Sequence, residues 1–295
     1  MAPAPWLPLR PSAAAAATIV MLAIFSACDD TAPVRSPDTS AAPSSSQGRT
    51  SDGPRTSRRT VTAPTVAPDL PLAGRVVVLD PGHQLGNAAF PAEVGAPVDA
   101  GGFTKACNTT GTATDSGYAE ATFTWQVARA TRRLLRRLGA QVLLTRTSNS
   151  ADHWGPCIDV RGRAGNPGEP GPTGDLKVSI HADGSLAPGA HGFHVITPDS
   201  VAPWTTDIAA PSLRLAEVVR DVLVEAGFAT STYAGSNGID VRDDLGTLNL
   251  SDIPTVVVEL GNMRDPGDAE KMASAAGRLH YASALALAIE RFSAR

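Results

Sequence analysis

The run Arg75-Val76-Val77-Val78-Leu79, closed by Asp80-Pro81-Gly82-His83, constrains this chain more than any other stretch. Three consecutive valines and a leucine, set between Gly74 and the Asp-Pro-Gly turn, read as a strand covered on both faces, the usual state of a parallel sheet. Two later stretches repeat the arrangement. Residues 176–180 run into His181-Ala182-Asp183-Gly184, and residues 255–258 run into Glu259-Leu260-Gly261-Asn262. In open α/β sheets ligands bind beyond the carboxyl ends of the strands, so His83, His181 and Glu259 are expected just past three strand ends, converging on one crevice.

Between these strands the sequence alternates helix and strand, which sets the class as α/β. Phe123, Val127, Ala130, Leu134 and Leu138 fall on one helical face; Arg129, Arg132, Arg133, Arg136 and Arg137 occupy other positions, and Gly139 supplies the stop. Those arginines read as a solvated face. Glu120 stands one turn ahead of Phe123 on the inward side. A first-turn carboxylate favoured by the helix dipole and a ligand that needs a partner are equal readings of it. Strands are expected at 141–145, 192–196 and 239–242, and helices from Pro211 to Gly227, at 268–276 and at 279–292. The passage 148–174 is polar and rich in Gly and Pro, and is read as irregular. The connection 84–118 is too long for a plain loop, so it is expected to be functional or to carry small structure of its own.

The first seventy residues differ from the rest. Residues 1–27 carry Arg10, an apolar run from Ala13 to Phe25 and the small residues Ser26-Ala27: the three regions of a secretory signal, with a run shorter than the roughly 20 residues of a spanning helix. Ile24-Phe25-Ser26-Ala27 ahead of Cys28 resembles a bacterial lipobox, with Phe25 where leucine is commoner. Lipidation of Cys28, anchoring the chain to the outer face of the cytoplasmic membrane, and a plain cut near Ala27 stand as alternatives; both imply export. Residues 28–71 are Pro, Ser, Thr, Ala and Arg with almost no large apolar residue, a composition that cannot offset its ordering entropy, so a disordered tether is expected. One folded domain, 72–295, follows. Lipidation of Cys28 leaves Cys107 and Cys157 as an even pair, expected to form a disulfide in an oxidising compartment, with two buried thiols as the alternative. A net charge of -4 with 5% aromatic residues gives no nucleic-acid footprint. A monomer is expected.

Two imidazoles and one carboxylate form a hydrolytic zinc site with the fourth position open to water. His83, Glu120 and His181 supply that set for one Zn2+ per chain; Glu93 and Asp99 lie nearer His83 in sequence but on the irregular connection, without a fixed scaffold. Glu259, at the end of a Val-Val-Val strand, is then the acid/base group: desolvation raises its pKa toward the range where it takes a proton and returns it to a departing amine. His153, Asn262 and Arg264 are candidate substrate contacts.

Asp80-Pro81-Gly82-His83, Glu120 at a helix start, Ser179-Ile180-His181-Ala182 and Val258-Glu259-Leu260-Gly261-Asn262, in that order, resemble the zinc-dependent N-acetylmuramoyl-L-alanine amidases of the third amidase family. The likeness runs from Arg75 to Phe292 and takes in Leu144-Thr145-Arg146 and Arg161 with Asn166. It implies a single domain with a mixed, mostly parallel twisted sheet flanked by helices. It implies cleavage of the amide between N-acetylmuramic acid and L-alanine in peptidoglycan or muropeptide fragments, with His83, Glu120 and His181 as metal ligands and Glu259 as the catalytic glutamate. Departures lie at the rim: Gln84-Leu85-Gly86 for a glycine pair, Asp183 for Asn, and Gly165 for the alanine before Asn166. Two rival readings are a wall-binding module that does not hydrolyse and a zinc carboxypeptidase acting within the stem peptide.

Overall fold

The computed structural model describes residues 70–294. The signal segment 1–27, Cys28 and the tether up to residue 69 lie outside the described residues. Eight strands run β1 Val76–Pro81, β2 Pro97–Asp99, β3 Thr104–Ala106, β4 Gln141–Leu144, β5 Leu176–Asp183, β6 His194–Pro198, β7 Ile239–Arg242 and β8 Thr255–Asn262. The helices are α1 Pro91–Gly95, α2 Glu120–Arg137, α3 Ile158–Arg163, α4 Ala209–Glu225, α5 Gly246–Asn249, α6 Pro266–Ala273 and α7 Ala275–Ser293. Six strands form one sheet in the order β4-β1-β5-β8-β6-β7. All neighbours are parallel except β6 and β8. The sheet is therefore mixed and mostly parallel.

Side chains alternate across a strand, so the register sorts the sheet into two faces. Val178, Ile180 and Ala182 of β5 and Val256, Val258 and Leu260 of β8 are buried in one continuous core with residues of α2, α4 and α7. Phe123 of α2 is fully buried and meets the Tyr281 ring of α7 edge-on at 5.7 Å. The opposite face carries the chemistry. Asp80 pairs with Ser179, His181 with Glu259 and His194 with Glu259, which lines these side chains up across the sheet.

That register moves two expected residues. His181 and Glu259 do not follow their strands; they lie inside β5 and β8, because the backbone ladder continues through residues whose side chains face the open side. Beyond them an extra residue in β8 shifts the pairing to Asp183 with Asn262, a bulge of the kind that re-aims side chains beside sites.

Other boundaries shift for local reasons. The strand expected at 192–196 is β6, starting at His194. The last two helices divide at Ser274, whose hydroxyl caps α7 by accepting from the Gly277 amide at 3.0 Å. The passage read as irregular contains α3, and the connection 84–118 contains a 3-10 turn, α1 and the β2–β3 hairpin. Cys107 and Cys157 form a disulfide across a separation of 50 residues. It ties the end of that hairpin to the start of α3. A Cys107→Ser, Cys157→Ser protein is expected to lose about 2–4 kcal/mol of stability, read by urea unfolding, with the hairpin region showing the largest gain in amide exchange.

Candidate metal centre and active site

His83 ends the turn that follows β1, with φ at 56°, a left-handed conformation that costs a non-glycine residue about 1–2 kcal/mol. Three contacts hold it there. Arg161 Nη2 donates to the His83 carbonyl at 2.8 Å, the Gly82 amide donates to Ile180, and His83 Nδ1 donates to the Thr109 carbonyl at 3.1 Å. The last contact fixes the tautomer and leaves Nε2 free to ligate.

Glu120 opens α2 and points inward, almost fully buried. Its Oε1 lies 3.1 Å from His83 Nε2 and 3.1 Å from His181 Nδ1. The Ala182 amide donates to the same oxygen at 3.1 Å and the Thr112 amide to Oε2 at 2.9 Å. Donor atoms of His83, Glu120 and His181 all lie within 4.8 Å of one another. An ion with arms near 2.0 Å and tetrahedral angles sets its ligands about 3.3 Å apart, so these residues fit one zinc with little movement. Glu93 and Asp99 are not part of the cluster.

Charge follows geometry. Burial works to raise the Glu120 carboxyl, but the two imidazoles hold it well below the usual carboxylate range. Burial pulls His83 down, and the Glu120 carboxylate more than offsets it, so the ring sits above its ordinary value. Glu259 behaves in the opposite way. Burial first, then the Asp183 and Glu120 carboxylates, push it well above the ordinary range, with Arg242 opposing. Its Oε2 is sealed from solvent and has no hydrogen-bond partner among the described residues. A carboxyl in that setting is built to exchange a proton.

His83, His181 and Glu259 line one end of a cavity of about 450 Å³ whose walls include Ile158, Ile196, Leu245 and Val257, with Lys105 and Arg242 beyond. Gly82 makes the close approach possible. A Cβ there would lie 2.3 Å from Cε1 of His181. Gly82→Ala is expected to keep the sheet and to lower zinc affinity about 10–100-fold, measured by competition with a chromogenic chelator.

The rim residues divide. His153 is exposed and its Nε2 lies 2.9 Å from Gln84 Nε2 and from Ser148 Oγ. Arg264 pairs with Asp115 at 3.0 Å on the surface. Asn262 is buried, and its Nδ2 donates to the Ser185 and Ala190 carbonyls, clamping the loop between β5 and β6. Several residues of the site carried no sequence signal: Thr109 and Thr112, which act through backbone atoms, and Tyr233, whose hydroxyl donates to Asp183 at 2.8 Å. Only the register and the return of the long connection bring them in.

Residues 77–291 match the family model described as N-acetylmuramoyl-L-alanine amidase. An N-acetylmuramoyl-L-alanine amidase of Mycobacterium tuberculosis is 42% identical over 224 residues, 76% of this chain and 88% of the relative. The crystal structure of the amidase Ami1 from Mycobacterium smegmatis superposes with a TM-score of 0.69 at 39% identity, covering 75% of this chain and 98% of that one. The apo form of Ami1 from Mycobacterium abscessus gives 0.68 at 43% identity, with 75% and 99% covered.

Proposed function

Because the chain belongs to the N-acetylmuramoyl-L-alanine amidase family, we propose that its cleft cuts the amide between the lactyl group of N-acetylmuramic acid and the L-alanine of the stem peptide, with His83, Glu120 and His181 holding one Zn2+. The observation that carries the reading is the single Glu120 oxygen lying 3.1 Å from both imidazole nitrogens. When bound, zinc lowers the pKa of water and polarises the carbonyl under attack. The chain's own residues do the rest. Thr109 and the backbone of Ala182 and Thr112 hold the ligands at fixed angles. Glu259, beside the ligands and not among them, takes a proton from the attacking water and returns one to the nitrogen of the leaving alanine. Arg264 and His153, neither of them among the residues that line the cavity with His83, are proposed as substrate contacts outside it.

Export and action outside the cytoplasm belong to the same proposal, supported by residues 1–27 of the sequence and by the disulfide. No helix of the described residues is long and apolar enough to cross a membrane. Lipid on Cys28, which lies outside the described residues, is a proposed membrane link, and labelling with a fatty-acid analogue in an expressing bacterium would reveal it.

The test of the activity is digestion of defined muropeptides followed by mass spectrometry. Intact stem peptides with a free alanine amine, lost with chelator and restored by zinc, are the expected products. Release of terminal amino acids from the stem would make the enzyme a carboxypeptidase, and binding to wall sacculi without any release would make it a binding module.

A further inference from the structure

The cleft leaves one strongly charged feature unused, the outer face of α2. Arg129, Arg133, Arg136 and Arg137 are all exposed and, at spacings of four, three and one, share one side of the helix. An ordinary solvated helix face interleaves acids with its bases at i to i+4. Here no Asp or Glu occurs between Glu120 and Asp152. The arginine ion pairs of the described residues all involve other arginines. Arg278 of α7 joins Arg129 and Arg133 along a shallow groove of about 350 Å³ that also exposes Leu279. A chain of net charge -4 thus concentrates unopposed positive charge on one side.

A second observation says what meets that side. The chain enters the domain at the arginine end of α2: the Leu72 amide donates to the Leu138 carbonyl at 2.8 Å, and Leu70 packs where a Cβ on Gly139 would sit, 2.8 Å away. The described chain therefore begins beside the arginine end of this helix. Glu120 stands at the other end of an 18-residue helix, about 27 Å away.

From these two facts we propose that the arginine face of α2 docks the domain on an anionic lipid bilayer. Guanidinium groups match phosphate oxygens in fork geometry, and basic residues beside a lipid attachment reinforce a weak anchor. The surface is independent of the hydrolytic chemistry, so loss of amidase activity leaves the proposal standing and loss of docking leaves the amidase reading standing.

The test uses the full chain and the variant Arg129→Gln, Arg133→Gln, Arg136→Gln, Arg137→Gln, sedimented with vesicles of phosphatidylglycerol and phosphatidylcholine or of phosphatidylcholine alone. The neutral vesicles report what the apolar N-terminal run contributes by itself. Binding to the anionic vesicles should exceed binding to neutral ones, weaken with salt, and fall at least about tenfold in the glutamine variant. A second variant with lysine at the same four positions should retain most of it, and both should keep the wild-type unfolding midpoint and muropeptide turnover. Equal partition of wild type and glutamine variant onto anionic vesicles would overturn the proposal. So would arginine-dependent capture by lipid-free wall sacculi with no preference for anionic vesicles, which would give the face to a wall polymer.

Discussion

Glu259→Gln protein should bind one zinc per chain and release stem peptides about 10²–10⁴-fold more slowly than wild type. The amide preserves the shape of the carboxyl, so packing between His181 on β5 and His194 on β6, its partners in the ladder, is kept. What is lost is the proton. Wild-type Glu259 is held well above the ordinary carboxylate range by burial and by the Asp183 and Glu120 carboxylates. Its sealed Oε2 has no hydrogen bond to give up among the described residues. Zinc content by atomic absorption and products by mass spectrometry separate the two roles. Full turnover in the glutamine variant would move the acid/base role to another group, with Asp183 the nearest alternative; loss of the metal would make Glu259 a ligand.

Asp80→Ala should destabilise the domain by about 3–5 kcal/mol, the cost of leaving a buried charge unpaired. Asp80 is completely buried in β1. Its Oδ1 accepts from Arg161 Nη1 at 2.6 Å and from the Thr145 hydroxyl, and its Oδ2 accepts from Ser179 Oγ at 2.6 Å. Arg161 in turn donates to the carbonyls of Pro81 and His83 at 2.8 Å. Removing the carboxylate thus strands a guanidinium that is nearly as buried and frees the backbone that holds His83, so zinc affinity should fall along with stability.

The sign of the pH dependence follows from the same contacts. Burial works to raise the Asp80 carboxyl, but Arg161, Ser179 and Thr145 hold it well below the usual range. Its contribution is fully present above the unfolded carboxylate value near 4 and is lost as pH falls through the lower folded value. Urea unfolding of wild type and Asp80→Asn should therefore show a large gap at pH 7 that narrows below about pH 4. A gap that stays constant into acid would mean that the pair contributes shape and not charge.

Much of the candidate site is legible from the chain because its ligand types sit at the ends of distinctive apolar runs. His83 after three valines, His181 after Ser-Ile and Glu259 after Val-Val-Val are each marked by local pattern, and Glu120 by its place one turn ahead of an amphipathic helix. Asp80 is a case of the opposite kind. Beside Pro81 and Gly82 it reads as a turn former, yet it is the buried anchor of Arg161. The difference lies 81 residues away in the chain, where α3 forms inside a passage whose Gly and Pro content argues against any helix.

By itself, the sequence determined the alternation of strand and helix, the candidate ligand types at His83, Glu120 and His181 and the run of arginines on α2, since each depends on the spacing of residues within one segment. Only the tertiary structure decided that His181 and Glu259 are cross-strand neighbours and that Thr109 and Thr112 hold His83 and Glu120. The same is true of where the arginine end of α2 lies, beside the point where the chain enters the domain. Side-chain type and period are local properties, whereas register, loop return and the meeting of distant backbone atoms arise when hydrophobic burial brings separate segments together.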